Sequence, residues 1–365
     1  MLDVAIVGGG IVGLSTAWVL LRRGYDVRVY DPAPASEASY AAAGMLAPVS
    51  EVVWDQPGLY PLMRRSGEMF PGFAAAIAEE SGMDVGYLPS STLVCAGDNA
   101  DRAYLQELMS LQSAIGEVEL LTAREARALE QGLGPGVVGA VHIPGDHQVD
   151  PRKYCAALLA ILGERVIRKR VDAARPGAIE LEDGETVLAE KVVLANGLAA
   201  REFVDLPLRP VYGDVLRLSA ATHGRPLVSR TVRAVVRGRP VYIVPRADGR
   251  IVLGATSRED SQWGVSAEGV HQLLRDAHHI VPGIWDCAIE EMTARARPGS
   301  PDDIPFIGTI EPGLVVSTGY FRHGILLSPL GAELTADVIC EKPLPADFAE
   351  AVDVFRFDST LNKGD

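Results

Sequence analysis

The residues that first promise chemistry are Gly8, Gly10, Gly13 and Asp31. The three glycines form G-x-G-x-x-G directly after the apolar run Val4 to Val7. Ile11, Leu14, Trp18 and Leu21 follow at helical spacing, Arg22, Arg23 and Gly24 close the helix, and Val27 to Tyr30 leads to Asp31. The order is strand, tight turn, helix, strand, acid. One glycine makes the turn, one lets a pyrophosphate approach the backbone, and one lets helix and strand pack closely. The helix start at Ile11 and Val12 offers free N–H groups to phosphate, and Asp31 suits ribose hydroxyls. The unit predicts adenine-dinucleotide binding. It does not choose FAD over NAD, but the acid disfavours a ribose 2′-phosphate.

A second cluster lies towards the C terminus. Gly313 to Ile339 reads strand, glycine turn, then a helix with Leu330, Leu334 and Val338 on one face. A helix start there supplies a second set of free N–H groups, suited to negative charge on a reduced flavin. Pro329 is either a first helical position capped by Ser328 or a kink in a helix begun near Gly324.

Something must position these groups, and the chain is long enough to do it with two domains. It has 365 residues, 48% of them hydrophobic and 22% charged, as in an ordinary globular enzyme. A net charge of −14 repels nucleic acid and anionic membranes. The basic run Arg165, Arg168, Lys169, Arg170 is short and reads as a solvated edge. The uncharged stretch Val4 to Leu21 approaches the length of a membrane span, but three consecutive glycines break it and Asp3 stands where a signal peptide wants positive charge. Cys95, Cys155, Cys287 and Cys340 are scattered, as befits thiols in a reducing compartment, so the cytoplasm is expected. The seven histidines have no ligand spacing, and no metal is expected.

Residues 61–81 read as a helix with Met69, Phe73 and Ile77 on one face. After a β-type region at 84–97, Asn99 to Ile115 reads as an amphipathic helix. Thr122 caps another with Glu125 three residues on. Asp150 caps a helix beginning at Pro151, lined on one side by Ala156, Leu159 and Leu162. Val192 to Gly197 is a buried-strand run suited to a parallel strand beneath the cofactor. From Leu208 to Arg297 the pattern is a β-meander, with Asp248-Gly249 as a hairpin turn. The expected fold class is α/β: a Rossmann-like, layered β/α domain for FAD (residues 1–84, 142–205 and 298–365). An antiparallel-sheet α+β substrate domain (residues 85–141 and 206–297) is interleaved with it.

The segments GGGIVG (8–13), SYAAAGMLAP (39–48), VYIVPR (241–246), RPGSPDDIPFIG (297–308) and GYFRHGILLSP (319–329) together resemble the FAD-dependent D-amino acid oxidase superfamily, and most of all its glycine oxidases of thiamin biosynthesis. The likeness runs over nearly the whole chain. It implies FAD, oxidation of glycine or a small amine such as sarcosine to an imine by hydride transfer, and O2 as acceptor with H2O2 formed. Glyoxylate, or iminoglycine for the thiamin thiazole, would be the product. By resemblance, Arg297 grips the substrate carboxylate, Tyr242 donates to it, the backbone near Arg322 accepts from the amine, the Arg322 side chain stands by the site and Met45 narrows the pocket. FAD contacts would come from Gly8, Gly10, Ile11, Val12, Gly13, Asp31, Ser39, Ala42, Ala43, Gly44, Met45, Val171, Gly197, His323, Gly324, Ile325 and Leu326. The absence of a cysteine in 297–308 implies non-covalent FAD. Relatives associate, so a homo-oligomer is an option that the acidic surface neither demands nor forbids.

Plainer readings stand beside these. Arg297 could pair with Asp302 or Asp303 at the surface, Tyr242 could be an ordinary strand aromatic, Arg322 a helix-start cation and Met45 plain core. Pro240 and Ser257 occupy places where glycine oxidases can carry histidine and methionine. Another substrate on the same fold, such as a D-amino acid, sarcosine or a 2-hydroxy acid, therefore remains open. So do a dehydrogenase with another electron acceptor and a flavin-binding protein without turnover.

Overall fold

The computed structural model describes residues 1–220, 226–260 and 262–357. The tail 358–365, assigned above to the FAD domain, lies outside the described residues. Leu2–Val7 is an inner strand of a sheet ordered Phe306–Glu311, Leu314–Thr318, Thr186–Leu194, Leu2–Val7, Val27–Tyr30, Val166–Ile167. All neighbours are parallel except the first pair. Both faces are covered, which is why these strands read as unbroken apolar runs. Val4, Ile6, Val27, Val29, Val193 and Val315 face helices Ile11–Arg22, Leu59–Ser81, Pro151–Leu162 and Ser328–Ile339. Ala5, Val7, Val192 and Leu194 face the other way, in a cluster with Ile179 and Leu181 of an antiparallel flap, Val171–Arg175 and Ala178–Leu181.

The second sheet has eight strands, ordered Cys287–Gly299, Arg209–Ala220, Arg250–Gly254, Arg239–Pro245, Thr231–Val236, Thr92–Ala96, Gly139–Ile143, Glu119–Thr122. It is antiparallel except where Thr92–Ala96 runs parallel to Thr231–Val236. The Asp248-Gly249 turn forms as expected, with Gly249 at φ +85° and the Arg246 amide bonded to the Arg250 carbonyl at 2.8 Å. On adjacent strands Val232, Ala234, Val241 and Ile243 turn into one core, so alternation sends Arg233 and Tyr242 to the opposite face. That face looks onto the first sheet's glycine turn across a shared cavity.

Several expectations are corrected. The stretch to Arg297 is not all meander: helix Ala267–Ile280, capped by Ser266, presents Leu273, Ala277 and Ile280 to the second sheet. Helix Asn99–Gln112 stops before Ile115. The face of Pro151–Leu162 that is buried holds Tyr154, Cys155, Leu158 and Leu162 rather than Ala156 and Leu159. In Leu59–Ser81 it is Phe70, with Phe73 and Ile77, that is fully buried, while Met69 packs at the margin. Pro329 sits in the first turn of Ser328–Ile339, but Ser328 does not cap it; its hydroxyl donates to the Ile325 carbonyl at 2.9 Å. No helix among the described residues is long and apolar enough to cross a membrane.

Candidate active site

One cavity of about 1450 Å³ runs between the two sheets and gathers most of the residues singled out by sequence. At one end is the glycine turn. Gly8 has φ +107°, and a Cβ there would lie 2.5 Å from Asn196 Cα, so the turn packs directly on the neighbouring strand end. Gly13 does not border the cavity; a Cβ on it would meet the Gly8 carbonyl at 2.0 Å. Its part is helix–strand packing rather than cofactor contact. Gly10, the N-cap, supplies no side chain, and a Cβ there would meet only Ser39 Oγ at 3.4 Å. Ser39 Oγ accepts from the Ile11 amide at 3.0 Å. The Asp31 carboxylate accepts from Gly9 N at 2.7 Å and Ala33 N at 2.8 Å, which fixes it at the end of its strand beside the turn.

Ala42, Ala43, Gly44 and Met45 form the next stretch of wall, with Val171 and Gly197 nearby. Gly44 has φ +76° and no room for a Cβ, which would come 2.0 Å from the Val149 carbonyl. Arg246, the last residue of VYIVPR, ties this stretch to the second sheet. Its guanidinium donates to the carbonyls of Ala43 (2.6 Å) and Val149 (3.2 Å), and burial pulls its pKa down to about 10. At the far side, Ile325 and Leu326 are buried, and their carbonyls are engaged by Ser328 and Ser66. Their amides have no hydrogen-bond partner among the described residues. Buried unpaired donors are costly, so two of them bordering a cavity call for an acceptor from a ligand. A phosphate-ready helix start, an acid held by two amides and these free donors fit FAD.

Beyond that groove stands the arginine–tyrosine pair. Arg297 projects from Cys287–Gly299 and borders the cavity. Its one hydrogen bond among the described residues goes to the Thr256 carbonyl at 3.3 Å, and it has no carboxylate partner there. The surface-pair reading fails because both acids are taken: Asp302 pairs with Arg356 at 2.9 Å and Asp303 with Arg209 at 2.6 Å. Burial lowers the Arg297 pKa, as expected for a desolvated cation waiting for an anion. Tyr242 borders the same cavity with no hydrogen-bond partner for its hydroxyl among the described residues, and burial raises its pKa, so it stays a donor. Met45 packs with Tyr242 and Ala255 against Ala43, Val215, Val244 and Val252, serving core and cavity wall together. Pro240 and Ser257 also line the wall.

Arg322 also lines the cavity, by the site as expected. It is exposed, at the rim, stacked 4.7 Å from the centroid of Phe321. It lies in the short turn Phe321–His323, six residues ahead of Ser328, so it is no helix-start cation either. His323 is buried, and burial depresses its pKa to about 4, leaving a neutral imidazole.

Four contributors escaped the sequence reading. Gly213 and Gly254 leave the space that Arg297 and Tyr242 occupy; their signal was glycine inside a strand pattern. Glu51 and Arg233 form an ion pair of 2.6 Å in the cavity wall, with side chains 11% and 18% exposed. Nothing in their local sequence marks them.

Residues 3–338 match the DAO family, described as FAD dependent oxidoreductase. The chain is 34% identical to the glycine oxidase of Geobacillus kaustophilus over 365 residues, 95% of each protein. It is also 34% identical to the bifunctional protein ThiO/ThiG of Synechocystis sp. over 376 residues; there 99% of this chain spans only 55% of the relative, about half its length. The crystal structure of the Geobacillus kaustophilus glycine oxidase superimposes with a TM-score of 0.88 at 32% identity, covering 97% of this chain and 98% of that one. With a matched family spanning nearly all of the chain, and a fold and dinucleotide groove to suit, the chain belongs to the DAO family of FAD-dependent oxidoreductases.

Proposed function

We propose that this enzyme oxidises glycine, and small N-substituted relatives such as sarcosine, to the imine with O2 as acceptor and H2O2 as product. The observation that carries the reading is Arg297: a half-buried guanidinium without a carboxylate partner among the described residues, sharing a cavity with the Tyr242 hydroxyl and with the groove suited to FAD. The name of the glycine oxidase relative supports it, and the fusion implied by ThiO/ThiG supports supply of the imine to thiazole synthesis.

Arg297 offers a planar fork that takes a carboxylate in two charge-assisted bonds, and Tyr242 adds a neutral donor. FAD bound in the groove would accept the Cα hydride and pass its electrons to O2. The chain's contribution is orientation, exclusion of water and preorganised charge; a neutral His323 adds no competing cation. Arg322 lines the same cavity with its side chain exposed, and stands by the substrate as a further cation. No thiol borders the cavity among the described residues, which supports non-covalent FAD. The division into an FAD domain (1–84, 142–205, 298–365) and a substrate domain (85–141, 206–297) is proposed with it. So are a cytoplasmic site, on the strength of four free cysteines, and homo-oligomers by family analogy.

The test is anaerobic titration of the FAD-loaded protein with glycine, sarcosine, D-alanine and glycolate, followed by peroxide assay in air. Glycine is expected to bleach the flavin. A flavin that glycine leaves yellow and glycolate bleaches would replace the amine reading with a hydroxy-acid one.

A further inference from the structure

Asp214 follows Gly213 on the strand Arg209–Ala220 and is fully buried. It does not border the cavity. Alternation turns it to the opposite face of the sheet, where Leu216 and Leu218 pack with Leu273 and Ala277 of helix Ala267–Ile280. Its carboxylate accepts from four donors. Oδ2 takes Thr256 Oγ1 at 2.7 Å and Arg258 Nε at 3.1 Å; Oδ1 takes Arg258 Nη2 at 3.1 Å and the Ser266 amide at 3.2 Å. Ser266 is the N-cap of that helix, and Gly269 in its first turn leaves the room, since a Cβ there would lie 2.5 Å from Oδ2. A buried carboxylate paired with a guanidinium fork holds its partners firmly, and removing its charge leaves the arginine without compensation.

Thr256 connects this centre to the clamp. Its hydroxyl donates to Asp214 Oδ2 and accepts from the Asp214 amide at 2.8 Å. Its carbonyl takes Arg297 Nη1 at 3.3 Å, the one hydrogen bond that Arg297 makes among the described residues. Two bonds of opposite sense to a single residue leave Thr256 little freedom, so the point that holds Arg297 is set from the far side of the sheet. Arg258 extends the hold along the same loop. It exchanges backbone bonds of 2.7 and 2.9 Å with Tyr212, and its guanidinium also donates to Asp260 at 2.8 Å and to the Gly264 carbonyl at 2.9 Å. Ser257 and Trp263 border the cavity from this loop.

We propose that Asp214 is a positioning residue for substrate binding: acting through Thr256, it holds the Arg297 guanidinium in the orientation that receives the substrate carboxylate. Gly213 gives the guanidinium its recess and Asp214 gives it its tether. Two consecutive residues of one strand thus serve the clamp from opposite faces of the sheet.

The inference rests on the amine-acid reading above, and its test separates the two. Anaerobic flavin reduction, followed against glycine concentration in holoenzyme of measured FAD content, gives the apparent Kd and the limiting rate. D214N keeps the shape and loses the charge. It is expected to raise the Kd at least about tenfold, as a misaligned fork would. The larger part of the loss should fall in Kd rather than in the limiting rate, because Arg297 holds the carboxylate and not the reacting bond. In an R297A background the same change should add nothing, since both residues act through one contact. An unchanged Kd in D214N overturns the inference. So does equal weakening in the parent and R297A backgrounds, which marks Asp214 as general support. Should D214N fail to retain FAD, T256V, which keeps the carbonyl and removes the hydroxyl, must weaken glycine at least about fivefold in the parent and not in R297A, or the inference falls. A parent holoenzyme whose flavin glycine does not reduce overturns the functional reading and this inference with it.

Discussion

Gly213 and the Arg297 guanidinium occupy mutually exclusive space: a Cβ on Gly213 would lie 2.1 Å from Nη2 and 2.4 Å from Cζ of Arg297. The two residues sit on paired strands, with Gly213 opposite Arg295 and Val211 opposite Arg297. Gly254, the register partner of Tyr242, does the same for the tyrosine, since a Cβ there would lie 2.5 Å from the Tyr242 hydroxyl. The clamp is therefore set into two recesses of its own sheet rather than standing above it. Such recesses fix where the donors end up without spending further side chains on them.

Gly213→Ala should separate binding from folding. The atoms it displaces are the far end of a flexible arginine, which can swing aside, and Gly213 does not have positive φ. Stability is expected to change by no more than about 1 kcal/mol. The displaced fork, however, no longer meets the substrate carboxylate squarely, and kcat/KM for glycine is expected to fall by on the order of 10²-fold. Steady-state kinetics beside a thermal melt check this. A variant with parental kcat/KM would show that Arg297 needs no recess.

Arg297 itself should show its fork as well as its charge. Arg297→Ala leaves the substrate carboxylate in a dry cavity without its main partner, at a cost of about 2–5 kcal/mol in apparent glycine affinity. Arg297→Lys keeps the charge and loses the paired donors, so it should fall between parent and alanine variant. The dependence of anaerobic reduction on glycine concentration gives all three affinities. If the lysine variant matches the parent, bidentate recognition is wrong; if the alanine variant does, the residue has no substrate role.

What could be read from the chain divides along the reach of the interactions. The glycine turn, Asp31 and the caps at Thr122 and Asp150 were legible because each acts within a few residues; the Thr122–Glu125 capping box forms as read. The choice between Arg297 as clamp and Arg297 as surface ion was not. It depends on Arg209 reaching Asp303 across 94 residues and Arg356 reaching Asp302 across 54. Glu51 was invisible for the same reason: it reaches the cavity because Asp146, more than ninety residues on, holds the amides before it. Helix Ala267–Ile280 was overlooked because short strand runs on either side set the expectation, although Ser266 and the Leu273, Ala277, Ile280 spacing were there to be read.

That same Asp146 and His323 should leave opposite marks on the pH dependence of stability. Burial depresses His323 to about 4 from an ordinary 6.5, so its contribution is complete above 6.5 and is lost as pH falls through 4. Burial raises Asp146 to about 6 from 3.8, despite the amides that bond it, so its contribution is complete below 3.8 and is lost as pH rises through 6. Over pH 4 to 6 the two slopes oppose each other, each worth on the order of 2 kcal/mol. Denaturant unfolding at fixed FAD concentration, compared as variant minus parent, cancels the other titrating groups. His323→Asn should gain stability relative to the parent as pH is lowered across this range, and Asp146→Asn should lose it. Variant and parent curves that run parallel from pH 4 to 6.5 would mean that neither group changes its proton affinity on folding.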